Sequence, residues 1–240
     1  MTSENYSTAG FGSLFLPPSI KRVEPSVGKA KPIYEEDRQY GDDGLLRREA
    51  VETWAWEEKA MREGDKDAWN VIPVKIDGLE RRYSLDVDYG GAMLDVERDE
   101  DSWMNAVVIT GLSADEKEAL DSSEENYETE ELDMENVEPY LEEHSENLEE
   151  AFENGEVQIY IGDHKETDRF RNRTYHGRIR TGMDFIGEIY GEELGEQMWQ
   201  DFKETTVENS IPGAHREEST KWENTVAEND NARRNLDRLM

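Results

Sequence analysis

Between Asp115 and Glu153 the chain carries eighteen acidic residues and one lysine. Few folds tolerate so dense a run of like charge, and the run is only about half of the excess: the whole chain has 59 Asp+Glu against 27 Lys+Arg, a formal charge of −32. Leu, Ile, Val and Phe together make 45 of 240 residues, a proportion that with this charge points toward disorder. Six Trp, ten Tyr and eight Met point the other way, because disordered chains are poor in aromatics. The remaining acids spread over Glu35–Asp101 and Asp184–Asp237, on segments patterned to fold, and Lys is scarcer than Arg. Spread acidity with little Lys suits a compact body working in concentrated salt, where self-repulsion is screened within about 3 Å at 1 M. A local acidic tail and a DNA-mimicking surface are the competing explanations.

Cysteine is absent, which removes disulfides, thiolate metal sites and Cys nucleophiles. Met1–Gly10 lacks the apolar run of a secretion signal, and no 18-residue apolar stretch exists to span a membrane.

The pattern divides the chain into three parts. Residues 1–40 read as an extended N-terminal arm: Gly10, Gly12, Pro17, Pro18, Pro25 and Pro32 break any period, and Phe11, Phe15 and Ile20 are spaced as anchors for a neighbouring chain. Residues 41–210 read as an α+β core with an acidic insertion at 113–136, and residues 211–240 as a polar helical tail. Within the core, Asp43 to Gly64 has helical spacing with Trp54 on the apolar face. Trp69 to Leu112 reads as a small antiparallel meander of three or four strands, with turns expected at Asp77-Gly78, Gly90-Gly91 and Asp99–Asp101. Ser113 with Glu116 forms a capping-box pattern. Asp121 to Asn136 has few apolar residues and reads as a solvated loop. Val137, Leu141, Leu148 and Phe152 resume a helical stripe, and Val157, Ile159 and Ile161 alternate as a strand.

Arg169, Arg171, Arg173, Arg178 and Arg180 then fall within twelve residues without an acid. Gly187, Gly191 and Gly195 follow at spacing four within the stripe Met183–Phe202. Such glycines each weaken a helix by about 1 kcal/mol but allow another backbone to approach. The alternative is that Gly182–Gly191 is strand and turn.

Signatures of chemistry are sparse. No phosphate-binding glycine loop, G-x-S-x-G or H-E-x-x-H occurs. His144, His164, His176 and His215 share no ligand spacing. Asp86 and Asp88 place two carboxylates on one strand face, and His164 stands near Asp163 and Asp168, but nothing supplies a nucleophile beside them.

The reading these features favour is a non-enzymatic assembly subunit without cofactor or metal. It would pair with itself, in a ring or otherwise, and with other assembly subunits through Phe11, Phe15, the arginine run and Gly187, Gly191 and Gly195. In a salt-adapted system that means a virion component of a haloarchaeal tailed virus, either capsid-associated or a head–tail connector. Two alternatives remain: a cytoplasmic enzyme, metal-dependent through Asp86, Asp88 and His164, and a nucleic-acid-binding or DNA-mimicking regulator using the arginine run. The charge itself gives the first expected outcome. Raising KCl from 0.1 M to 2 M should raise the thermal midpoint by several degrees, followed by circular dichroism; a midpoint indifferent to salt would show that the acids do not repel one another in the folded state.

Overall fold

The computed structural model describes residues 6–15, 70–86, 92–124, 127–162 and 173–207. The helix expected over 43–64, the tail 211–240, and His164, His215, Asp88, Arg169 and Arg171 lie outside the described residues.

The fold is α+β. Its sheet has seven strands among the described residues, in the order β4-β6-β1-β3-β2-β5, with β7 added beside β2. The strands are β1 (Tyr6–Gly10), β2 (Asn70–Asp86), β3 (Ala92–Leu112), β4 (Tyr127–Glu131), β5 (Val137–Pro139), β6 (Val157–Gly162) and β7 (Thr206–Val207). Among the described residues four α-helices accompany them: α1 (Ala114–Ser123), α2 (Ser145–Asn154), α3 (Arg173–Tyr190) and α4 (Glu192–Thr205).

The β2–β3 pair is the backbone of the sheet. Two of the three expected turns are not turns. β2 runs through Asp77-Gly78 and β3 runs through Asp99–Asp101, because the two signals face each other: Asp77 pairs with Trp103 and Leu79 with Arg98, so residues 99–102 bulge opposite Gly78. Gly78 takes φ +78°, and Asp99 closes the bulge by accepting from the Asp101 amide (3.1 Å) and the Ser102 hydroxyl (2.8 Å). The third signal, Gly90-Gly91, lies in the undescribed connection between the two strands.

Part of the expected arm is in the sheet. Tyr6–Gly10 lies between β3, antiparallel, and β6, parallel. A 3-10 turn over Gly12–Phe15 then places Phe11, Leu14 and Phe15 in the core, with Phe15 at 0% exposure and edge-on to Phe202. The acidic block is not a loop either. Ser113 caps α1 with the full capping box, β4 follows, and β5 takes Val137, which the stripe had assigned to a helix. The helical stripe over Met183–Phe202 is two helices, divided at Gly191, whose φ of +111° no helix accepts.

The far end of α4 rests on one buried cation. Arg81, on β2 and 0% exposed, donates from Nη1 to the Asn105 carbonyl (2.7 Å) and from Nε to the Thr206 hydroxyl (2.9 Å). Its Nη2 reaches Asn105 Oδ1 (2.8 Å), the Thr205 hydroxyl (3.2 Å) and the Phe202 carbonyl (3.4 Å). Burial pushes this guanidinium down to about 9, so it stays charged at neutral pH. The negative end of the α4 dipole meets that charge. Phe202 packs its ring at 4.1 Å from the same group.

The glycines at spacing four join α3 to α4 inside this chain. A Cβ on Gly195 would stand 2.6 Å from the Met183 carbonyl oxygen and 2.9 Å from Gly187 Cα, both backbone. A Cβ on Gly187 would meet only ordinary contacts, at 3.6 and 3.7 Å. Gly195→Ala should therefore destabilise by about 1–3 kcal/mol through overpacking. Gly187→Ala should be neutral or gain up to about 1 kcal/mol of helix propensity. Urea unfolding of the two variants checks this; equal shifts would show that the helices do not meet at Gly195.

Candidate functional site

Parallel strands present ligands beyond their carboxyl ends, and β1 and β6 are parallel neighbours that end at one place. β1 stops at Gly10 while β6 continues to Gly162, and in that stretch β6 loses its neighbour on one side. Two side chains, Asp95 and Tyr127, take over backbone groups there. Asp95, on β3 and 0% exposed, accepts from the Gly162 amide (2.7 Å) and the Val96 amide (2.8 Å) through one oxygen, and Ser84 donates to its other oxygen at 3.4 Å. Tyr127, opposite Gly162 in the β4–β6 register, donates its hydroxyl to the Leu94 carbonyl (2.9 Å). Phe11 leans edge-on against Tyr127 at 6.4 Å. Below them the turn after β1 needs glycine at residue 12, where φ is +66° and a Cβ would lie 2.2 Å from the Tyr175 hydroxyl.

The chemistry gathers beside this opening, between α1 and β6. Tyr160 is buried in β6 and donates its hydroxyl to Asp121 Oδ1 (2.6 Å). The Thr8 hydroxyl is also hydrogen-bonded to it. Lys117, one turn before Asp121 on α1, forms an ion pair with that carboxylate and lies 5.6 Å from the Tyr160 ring centre. Glu124 ends α1: its amide donates to the Leu120 carbonyl (3.0 Å) and its carbonyl accepts from the Tyr127 amide (2.8 Å). Its carboxylate charge bears on Tyr160 together with that of Asp121. Glu124 and Tyr127 are half-buried and Asp121 is exposed, so solvent reaches the group. Burial first, then the bond to Asp121, raises the Tyr160 hydroxyl far above the usual tyrosine range and keeps it a hydrogen-bond donor. Two carboxylates, an ammonium and a locked phenol within two turns of helix and one strand can take and return protons.

Of the described residues read from sequence as an interaction surface, Phe11 alone is placed beside the opening, against Tyr127. Phe11 and Phe15 are buried within this chain. Arg173 opens α3. Arg178 is buried, and Arg180 is bridged to Asp184 (3.0 Å) and Glu196 (3.1 Å) beside the Trp199 ring. Gly187 and Gly195 touch each other, and Gly191 is the break between the helices. Asp86 closes β2, with Asp88 and His164 outside the described residues. Among the described residues no group of three or more His, Asp or Glu could hold a metal ion, and no helix is long and apolar enough to cross a membrane. Sequence reasoning missed Asp95, Lys117, Asp121, Glu124, Tyr127 and Tyr160. The capping box at Ser113 was the available signal, because it starts the helix that delivers three of them.

No family model matches the chain, and no curated protein matches it. Solved structures do. An uncharacterized protein from Homo sapiens is 12% identical, with a TM-score of 0.48, over 92% of this chain and 99% of its own. A gamma-glutamyl cyclotransferase is 11% identical, TM-score 0.48, over the same shares. A gamma-glutamyl cyclotransferase from yeast, specific to glutathione, is 14% identical, TM-score 0.39, over 94% of this chain and 96% of its own. The expectation of a non-enzymatic virion subunit, whether capsid-associated or a head–tail connector, is corrected here. The residues expected to dock neighbours, where described, are engaged inside the chain.

Tyr160 and Tyr140 share an alkaline signature. Burial, then a bond to Asp201 (2.5 Å), raises Tyr140 in the same way. In the unfolded chain both lose their protons near pH 10. The folded protein keeps them above that, so it binds more protons than the unfolded state and stability falls as pH rises past 10, by up to about 1.4 kcal/mol per pH unit for each tyrosine. Below pH 10 the contribution is fully present. Tyr160→Phe should flatten the fall between pH 10 and 11 by one tyrosine's share in urea unfolding. An unchanged slope would show that the phenol ionises as freely in the folded state as in the unfolded.

Proposed function

We propose that the chain is an enzyme that performs acid–base chemistry on a small polar molecule at the open carboxyl ends of β1 and β6. One observation carries the reading: a buried tyrosine, Tyr160, donates its proton to Asp121 while Lys117 and Glu124 complete a solvent-reached group on rigid elements. Groups that exchange protons act best when helix and strand fix them. Glu124 is the proton acceptor in this reading. Glu124 is the half-buried carboxylate at the end of α1, held through its carbonyl to Tyr127, which stands opposite the end of β6. Tyr160 and Lys117 fix the local charge against which Glu124 works.

The assay begins with γ-glutamyl dipeptides and glutathione, the compounds to which the names of the two cyclotransferase structures point. Closing the ring of a γ-glutamyl amide takes a proton from the attacking amine and gives one to the departing amine. A single carboxylate at the right distance can do both in turn. Glu124→Gln should lower turnover by about 10²- to 10⁴-fold, with an unfolding free energy within about 0.5 kcal/mol of the parent, as for a substitution that breaks no core contact. Release of the amine, followed by chromatography, measures the first and urea unfolding the second. Full activity in Glu124→Gln, or no turnover of any γ-glutamyl compound by the parent chain, would count against this assignment.

A further inference from the structure

We infer that Asp95 is the positioning residue of this site: its carboxylate fixes the end of β6 against β3 where β1 no longer spans them. The inference rests on the enzyme reading for its effect on turnover, but the clamp itself is a property of the fold. β1 is five residues long, and both its neighbours extend beyond it. Where it ends, the Gly162 amide would be left without a strand partner, and a buried amide without an acceptor is rarely tolerated. Asp95 supplies the acceptor from β3, from the part of that strand beyond the bulge at residues 99–102, and holds its own strand by accepting from Val96 with the same oxygen. A charged group at 0% exposure in this place is costly unless hydrogen-bonded. The fold has also cleared room for it: a Cβ on Gly162 would stand 2.3 Å from Oδ1 and 2.8 Å from Oδ2. Tyr127 stands opposite Gly162 in register, and Tyr160 lies two residues before it. Any drift of Gly162 therefore moves the strand that carries the locked phenol and the residue held by Glu124.

Three variants and two readouts test this. Asp95→Ala removes the acceptor. Asp95→Asn keeps one carbonyl oxygen that can accept from both amides. Gly162→Ala drives a methyl group into the carboxylate. On γ-glutamyl substrates, Asp95→Ala should lower kcat by about 10²-fold with little change in KM, as expected for misplacement by about 1 Å. Asp95→Asn should recover to within about tenfold. Gly162→Ala should resemble Asp95→Ala alone and cost far less in the Asp95→Ala background, where the methyl group has space; that non-additivity marks a direct contact. The second readout is hydrogen exchange at the Gly162 amide, which needs no substrate: it should be slow in the parent and in Asp95→Asn and at least tenfold faster in Asp95→Ala. Should Asp95→Ala fail to fold, Asp95→Asn and Gly162→Ala carry both measurements. Unchanged exchange at Gly162 would overturn the clamp. Faster exchange with unchanged kcat would leave a clamp that positions nothing, and would overturn the inference. A parent chain without turnover would instead remove the enzyme reading, and with it the catalytic half of this role, while the exchange data still decide the clamp.

Discussion

The five residues of β1 decide whether this molecule has one sheet or two. β6 and β4 reach the β2–β3 pair through β1. A strand gripped on both edges and buried from Ser7 to Gly10 must satisfy every amide and carbonyl with its neighbours. Small residues make this possible. Thr8 and Ala9 are fully buried, and Thr8 turns its hydroxyl to the Gln158 carbonyl at 3.1 Å. Gly10 leaves space for the chain to fold back at once, with Leu14 Cβ only 2.6 Å from where its own Cβ would be. The brevity of β1 creates the site as well. A longer strand would cover Gly162, and a shorter one would detach β6.

That same strand shows why part of the fold could not be read from sequence. Buried strands with a parallel neighbour are normally continuous runs of Val, Ile and Leu; Val157, Ile159 and Ile161 were legible by their alternation instead. Tyr6-Ser7-Thr8-Ala9-Gly10 has the composition of a linker, so its role depends entirely on partners a hundred and more residues away. The β2–β3 pair was legible as sheet but not as two strands, since Asp77-Gly78 is as good a bulge as a turn and only the facing Asp99–Asp101 segment decides between them. Among the helices, the capping box of α1 and the apolar stripe of α3 and α4 were legible. The break at Gly191 was visible as a glycine but not as a boundary.

The acidic block misled for a related reason. Glu128 and Glu131 are exposed on β4, an end strand of the sheet, and Asp115, Glu118 and Asp121 are exposed on α1. Charges on an end strand keep other chains from pairing with it. β5, at the opposite end, achieves the same with three residues and Pro139. Carboxylates that looked like solvated loop are thus the protected edge of a folded sheet. Asp121 and Glu124 were hidden among them because nothing local distinguishes a carboxylate facing water from one facing Tyr160. Only the packing of α1 beside β6 makes that distinction, through Asp121 and Lys117 against Tyr160.

Arg81 and Asp95, both fully buried, solve one problem with opposite polarity. Arg81 adds a donor at the Phe202 carbonyl, which already accepts the Thr206 amide at the end of α4, and Asp95 meets an amide that β6 cannot pair beyond β1. They are not equally replaceable. A carbonyl has two lone pairs and tolerates partial satisfaction, whereas an amide has one hydrogen and is rarely left unbonded when buried. The Phe202 carbonyl also accepts from the Thr206 hydroxyl at 2.5 Å, so it keeps a partner whatever Arg81 does. The Gly162 amide has Asp95 where β1 has ended, and the glycine there leaves no side chain to assist. The cation therefore anchors a helix end that has a second support, while the anion fixes the strand end against which the reactive group is built.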